Sequence, residues 1–405
     1  MLLLDKVKKT AAADLKGVEK CAVGYSGGLD STAMIMLLEG MGVETFAVVL
    51  DIGQGRAKFQ NALKLAKKHA TKTFAIDAKG DFFSNINRGM RANTILNGHV
   101  NSEGMSRPIL AMHLARIAKE EACQAIAHGS SGTGNDQHRM ENGLRALAPW
   151  ARIIAPVRDW DLKREESAAY LAKGGMKGMS DGGSTDLSAD ESMWARTMRG
   201  VSEDADGMPK NAYKWTSGGK GGAIELEMGF SEGGFAWAKA NGKKYSGYAA
   251  FESLNPVIGA RGFGRFMSFE DKVIGLKMAE HYEAPLALAA TMGHKMLERL
   301  TLTRAELDAK VPMERLWARL AYDGNFYSRL RANIDVFLSE QSRPVTGTVS
   351  ARIEGGDMEI TGAKSPNALY DSRLTSRKAG GAFDQKSAMH FSRLYGLQES
   401  FAFML

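Results

Sequence analysis

Residues 20–32, KCAVGYSGGLDST, decide the fold class. The apolar run KCAVGY reads as a buried strand. It ends in two glycines, an acid and two hydroxyls, and residues 30–41, DSTAMIMLLEGM, then carry a helical pattern. A strand–turn–helix unit of this kind leaves backbone N–H groups and the positive end of a helix dipole at the turn. Gly27 and Gly28 let the backbone approach a bulky anion. Ser26, Ser31 and Thr32 add hydroxyl donors. No Gly-Lys-Ser/Thr is present, so this is not a Walker-type loop, and no lysine reaches a terminal phosphate. Asp30 suits a site that holds Mg²⁺ beside phosphates. A plain glycine turn with a polar helix cap is the simpler alternative.

Strand and helix patterns alternate through the first half. VETFAVVLDIG (43–53) reads as a strand, RAKFQNALKLAKKHA (56–70) as a helix and KTFAIDA (72–78) as a strand. RPILAMHLARIAKEEA (107–122) is an amphipathic helix, and CQAIAHG (123–129) and ARIIAPV (151–157) are further strands. This spacing predicts an α/β fold with a doubly wound parallel sheet, whose ligands bind in the turns after the strands. SGGLDS (26–31) and AHGSSGTGND (127–136) lie in such turns.

The pattern changes near residue 175. MKGMSDGGSTDLSADESMW (176–194) reads as loop; shorter strands (223–230, 235–245, 345–360) and helices (313–324, 330–341) follow, which predicts an α+β second domain. SGGKGG (217–222) reads as a surface turn, and the chain ends in a helix with an apolar tail. The expected division is an N-terminal extension (1–20), a nucleotide-binding domain (21–178), a synthetase and multimerisation domain (179–378) and a C-terminal oligomerisation arm (379–405).

Bulk properties narrow the function. The chain has 405 residues, 44% hydrophobic and 24% charged, which is the balance of a soluble globular protein. No apolar run reaches the roughly 18–20 residues of a membrane helix, so a cytoplasmic protein is expected. Cys21 and Cys123 form no metal or redox spacing and read as reduced core residues. The net charge of +7 is scattered, without a dense basic block, and suits anionic small substrates rather than nucleic acid. His128 and His138 have no third ligand nearby, so no metal site held by protein ligands alone is expected.

SGGLDS resembles the pyrophosphate loop of the ATP pyrophosphatases, which cleave ATP between the α and β phosphates and adenylate an acceptor oxygen. Several other stretches resemble the argininosuccinate synthase family: DIGQ (51–54), AHGSSGTGNDQHRME (127–141), LSADESMWART (187–197), EDKVIGLKMAEHYEAP (270–285), SPNALYD, GGAFDQKSA and LYGLQE. The resemblance runs from about residue 20 to the C-terminus. It implies a homotetrameric ligase that uses ATP and Mg²⁺ to join aspartate to citrulline. A ureido group is a poor electrophile, so its oxygen is first adenylated and AMP is then displaced by the aspartate amine. Such an enzyme needs positioning and charge stabilisation rather than a covalent nucleophile.

Carried over by position, the resemblance implies ATP contacts at Gly24, Tyr25, Ser26, Gly27, Gly28, Leu29, Asp30, Ser31, Thr32, Leu50, His128, Gly129, Gly132 and Gly134. It implies aspartate contacts at Ser131, Asn135 and Asp136. Acceptor contacts fall on His99, Glu103, Gly104, Arg107, Asn135, Arg139, Ser188, Thr197, Glu270 and Tyr282.

The pattern breaks in 97–108, NGHVNSEGMSRP, which aligns with the family's DRYLLGTSLARP. The family's tyrosine becomes His99 and its Thr-Ser pair becomes Glu103-Gly104; Thr133 replaces a lysine. A hydroxyl pair suits a carboxylate, whereas a glutamate repels one: two charges about 4 Å apart oppose each other by about 4 kcal/mol at an effective dielectric near 20. One alternative is therefore a paralogue that joins aspartate to a different ureido or amide acceptor. A tRNA-modifying ATP pyrophosphatase and a non-catalytic binding protein are the others.

Overall fold

The computed structural model describes residues 3–94, 98, 100–176, 188–199, 208–218, 221–376 and 382–405; of Ser188 it describes the backbone alone. His99 and part of the 217–222 turn lie outside the described residues.

Five parallel strands, β1 (Lys20–Gly24), β2 (Glu44–Asp51), β3 (Lys72–Asp77), β4 (Ala125–Ala127) and β5 (Arg152–Ile154), pair in the order β3-β2-β1-β4-β5. The apolar run of β1 is continuous because both faces are covered. Cys21 and Val23 join a cluster with Met34, Leu38 and Leu63. Ala22 joins one with Leu114, Ile126 and Leu144 on the other face. The chain winds outward from β1 to β3 and then crosses to β4. The strand order thus reverses between β1 and β4, and a crevice opens at their carboxyl ends.

Two helices beside the site depart from the sequence reading, as do Arg164–Lys173, Tyr248–Gly259 and Pro285–Thr301 farther along. Lys79–Arg91 was not expected; it buries Phe82, Ile86 and Met90 at a four-residue interval. Ser102–Glu120 begins five residues before Arg107 and contains Pro108. Glu103 and Gly104 therefore lie in a first helical turn rather than a loop.

Nine further strands follow among the described residues: β6 (Ser188–Glu191), β7 (Arg196–Arg199), β8 (Ile224–Ser231), β9 (Gly234–Ala240), β10 (Lys243–Ser246), β11 (Arg265–Asp271), β12 (Lys277–Glu283), β13 (Gly347–Glu354) and β14 (Asp357–Lys364). One antiparallel sheet runs β10-β9-β8-β13-β14, and a second runs β11-β12-β7-β6. Their core includes Phe235, Phe251, Leu286 and Trp317. On the rear of the second sheet, buried Glu283 pairs with Arg196 and accepts the N–H groups of Trp215 (2.8 Å) and Thr216 (2.7 Å).

The 192–195 segment ties the second sheet to the nucleotide-binding side. Met193 N donates to Ile52 O at 3.0 Å, and Trp194 Nε1 donates to Val100 O at 2.8 Å. Gly53 has φ +80°, and a methyl group there would stand 2.6 Å from Met193 Cβ. The DIGQ turn is thus a docking point that admits no side chain at residue 53. The C-terminal helices Gln385–Tyr395 and Leu397–Met404 bury no residue and expose Phe391, Leu394, Tyr395 and Phe403.

Candidate functional site

The glycine turn lies at the end of β1. Gly28 precedes helix Leu29–Gly40 in extended backbone, with no side chain capping the helix. The first N–H groups are therefore left for a ligand or solvent. The hydroxyls are tied into the turn: Thr32 Oγ1 donates to Gly28 O (2.8 Å), so Tyr25, 2.9 Å away, is the donor to Thr32. Ser31 Oγ donates to the same carbonyl at 3.1 Å, and Ser26 Oγ lies 3.2 Å from Ser31 Oγ. Asp30 is in the first helical turn, and Leu29 is buried behind it. Gly24 and Leu50 lie near the carboxyl ends of the adjacent strands β1 and β2.

The second turn leaves β4. His128 N bonds Ile154 O at 3.1 Å, and His128 Nδ1 accepts from Ser130 N at 3.3 Å. Burial pushes the His128 ring down to about 4, so it is neutral near pH 7 and carries its proton on Nε2. Gln137 Nε2 holds the loop by donating to Gly132 O (2.7 Å) and Gly134 O (3.1 Å). Ser131 Oγ lies 3.2 Å from Thr133 Oγ1. A methyl group on Gly129 would lie 4.0 Å from Ser31 N, so the two turns meet across the crevice. Asn135 Oδ1 accepts from Val273 N at 3.0 Å; its Nδ2 is buried without a partner.

Beyond this turn is a charged chamber. Asp136 Oδ2 accepts from Arg107 Nε (2.9 Å), and its Oδ1 accepts from Arg139 Nη1 (2.9 Å). Arg107, Arg139 and Arg199 hold the Asp136 carboxyl well below the usual carboxylate range despite its burial. Arg139 Nε donates to Tyr322 O at 3.0 Å, which fixes the guanidinium from behind. Each Asp136 oxygen is thus engaged by one arginine, which leaves acceptor capacity for a substrate amine.

The second sheet supplies the opposite wall. Tyr282 pairs with Thr197, and Thr197 with Asp190; Ser188 pairs with Arg199. By strand alternation Tyr282, Thr197, Asp190 and Arg199 share a face with Glu280. Glu270 accepts from Lys272 Nζ (2.9 Å), from Tyr322 O–H (2.7 Å) and from Tyr282. Glu280 accepts from Arg199 Nε (3.0 Å) and from Lys272. Arg107 reaches Asp190 at 2.9 Å. Thr197 Oγ1 is buried without a partner.

Glu103, 5% exposed, lies in this chamber near Asp190, Glu280, Arg107 and Arg139. Burial and the neighbouring acids raise its carboxyl from the ordinary 4.5 to about 7. Gly104 cannot contribute a side chain: a methyl there would clash with Asn101 Oδ1 and stand 2.9 Å from Ala321 O.

A pH prediction follows. The raised carboxyl is proton-bound below about pH 4.5 and costs stability as pH rises through about 7. Glu103→Gln is therefore expected to gain stability over the parent by a few kcal/mol at pH 8 and by little at pH 5. Urea unfolding at both pH values measures this; an equal effect at both would contradict it.

Two family models cover this arrangement. Residues 20–177 match the arginosuccinate synthase N-terminal HUP domain, and residues 187–402 match the arginosuccinate synthase C-terminal domain. The chain belongs to the argininosuccinate synthase family. The argininosuccinate synthase of Methanocaldococcus jannaschii is 36% identical over 389 residues, covering 94% of this chain and 97% of that one. Those of Methanopyrus kandleri (36%, 95% of this chain and 99% of that one) and Pyrococcus furiosus (34%, 95% and 94%) are similar.

Within this argininosuccinate synthase fold, the predicted residues whose side chains the structure describes fall at the two turns or along the chamber. Asp190, Arg199, Lys272, Glu280 and Tyr322 were missed. Strand alternation from Ser188, Thr197 and Tyr282 points to the first, second and fourth of these. Tyr322 ends helix Arg304–Tyr322, far from every motif, and has no sequence signal.

Proposed function

We propose that this family member is an ATP-dependent carbon–nitrogen ligase that joins aspartate to an AMP-activated ureido acceptor, forming argininosuccinate when the acceptor is citrulline. The observation that carries the reading is the meeting of two glycine turns at the sheet's reversal point, beside a chamber that holds unpaired Asn135 Nδ2 and Thr197 Oγ1. The turn from Ser26 to Thr32 cradles the phosphates, with Gly24, Tyr25, Leu50 and His128 toward the nucleoside. The ureido oxygen attacks the α-phosphorus, the bond to the β-phosphate oxygen breaks, and pyrophosphate leaves. The aspartate amine then attacks the activated carbon, loses a proton, and AMP departs with the ureido oxygen.

Asn135 Nδ2 and Ser131 offer donors to an aspartate carboxylate. Asp136 stays ionised, so it orients the incoming amine as a hydrogen-bond acceptor rather than taking its proton. Arg139, Thr197, Glu270 and Tyr282 line the acceptor side. Mg²⁺ would be held mainly on phosphate oxygens, with Asp30 of the first helical turn nearby. Mg²⁺ would neutralise charge on the departing pyrophosphate.

We also read the chain as a cytoplasmic homotetramer, divided at residues 20, 178 and 378. The exposed apolar residues of the C-terminal helices support an arm that reaches a neighbouring copy. No helix among the described residues is long and apolar enough to cross a membrane. The test is product stoichiometry: one AMP and one pyrophosphate per aspartate consumed, and none without a ureido acceptor. ADP formation would contradict the reading.

A further inference from the structure

We infer that Arg199 sets the amine-donor specificity of this enzyme: its guanidinium receives the side-chain carboxylate of the incoming aspartate, and so selects a dicarboxylic amino acid over the corresponding amide. The inference rests on the ligase reading above. Aspartate brings one ammonium and two carboxylates. The loop after β4 answers two of these groups, Asp136 the ammonium and Asn135 Nδ2 with Ser131 one carboxylate. No cation of the loop is left for the second carboxylate: residues 127–136 contain neither lysine nor arginine, and Thr133 stands where the family's pattern has a lysine. A carboxylate taken out of water is costly unless a donor meets it.

Arg199 reaches that place from the opposite wall. It ends β7, pairs in register with Ser188, and its Nη1 would stand 3.7 Å from a methyl group on Gly134. It thus spans the gap between the aspartate loop and the acceptor strands, where the amine must meet the activated carbon. The other bases of the chamber are more fully engaged. Arg107 binds Asp136 and Asp190, Arg139 binds Asp136 and Tyr322 O, and Lys272 binds Glu270 and Glu280. Arg199 commits Nε alone, 3.0 Å from Glu280, and its two terminal nitrogens make no hydrogen bond among the described residues. Its side chain is 28% exposed, so a ligand can reach that fork. Glu280 also accepts from Lys272 and does not depend on Arg199 alone. The directly bonded groups balance, so what draws the carboxylate is the free fork rather than a net charge. Two parallel N–H donors match the two oxygens of a carboxylate. A carboxamide offers one oxygen and turns an N–H₂ donor toward the guanidinium.

The test measures AMP release from ATP, Mg²⁺, citrulline and L-aspartate, with L-asparagine as a competing ligand, in the full chain, Arg199→Gln and Arg199→Lys. In Arg199→Gln the KM for aspartate is expected to rise about a hundredfold, while the KM for ATP stays within about twofold. The inhibition constant of asparagine changes little, so the preference for aspartate over asparagine falls by the same factor as the aspartate KM rises. A role confined to pairing with Glu280 would leave that preference unmoved. Arg199→Lys keeps a cation beside Glu280 but not the fork, and its preference is expected to fall about tenfold. An unchanged preference in folded Arg199→Gln, or in Arg199→Lys should the glutamine variant not fold, would overturn the inference and leave the ligase reading standing. Absence of aspartate-dependent AMP release in the parent would overturn both.

Discussion

Asp136→Asn is expected to lower kcat/KM for ligation by about 10³-fold, roughly 4 kcal/mol of transition-state stabilisation, while ATP still binds. Asp136 accepts Arg107 through one oxygen and Arg139 through the other, and Arg199 adds to the field. The asparagine keeps the shape but replaces one acceptor oxygen with an N–H₂ donor aimed at a guanidinium. The positive cluster is left uncompensated and repels the ammonium of aspartate. Removing one member of a buried pair costs about 3–5 kcal/mol of stability. The variant should therefore unfold at lower urea concentration at pH 8. The carboxyl is held below its ordinary 3.8, so its stabilisation is present above that pH and is lost only as strong acid protonates it. The parent's advantage over Asp136→Asn should accordingly persist unchanged from pH 8 to pH 5. Nucleotide binding measured by calorimetry should change little, because the phosphate turn lies across the crevice. Full ligation activity in a folded Asp136→Asn chain would remove Asp136 from the amine site.

Gly27→Ala is expected to abolish measurable ligation and to destabilise the fold by about 2–5 kcal/mol. Gly27 has φ +79°, and a methyl group there would stand 2.8 Å from Ala62 Cβ and 2.9 Å from Ala62 Cα. Helix Arg56–His69 cannot retreat without opening the cluster around Ala62, Leu63 and Ala66. The turn must move instead, and the N–H groups that it aims at phosphate move with it. Gly28 is the control. It has φ −81°, and its added methyl meets Ser26 Oγ alone at 3.4 Å. Gly28→Ala should keep the parent's stability and lose at least about tenfold in ATP affinity, because bulk enters the phosphate cradle rather than the core. Equal stability of both variants would contradict the packing argument. Unchanged ATP affinity in Gly28→Ala would contradict the cradle.

The parallel sheet was legible because β1 and β2 bury both faces and so read as unbroken apolar runs. The phosphate turn was legible because its glycines and hydroxyls stand between two clear periodicities. Helix Lys79–Arg91 escaped because Gly80, Asn85, Asn87 and Gly89 interrupt the intervals between Phe82, Ile86 and Met90. The start of helix Ser102–Glu120 escaped because Gly104 and Pro108 read as breakers; the structure accommodates both, the glycine against Ala321 O. The β11–β12 hairpin escaped for a chemical reason. Its buried face carries Glu270, Glu280 and Tyr282, so burial there leaves no apolar alternation to read. Pairwise neutralisation by Lys272 and Arg199 can be seen only once the strands are side by side.

The most direct measurement places ¹⁸O in the ureido oxygen of the acceptor and follows it by mass spectrometry through one turnover with ATP and aspartate. Activation at the α-phosphorus predicts that the label leaves in the phosphate of AMP, one atom per ligated aspartate, with unlabelled pyrophosphate. Label in inorganic phosphate, or AMP without label, would show that the acceptor is not adenylated through its oxygen and would contradict the account.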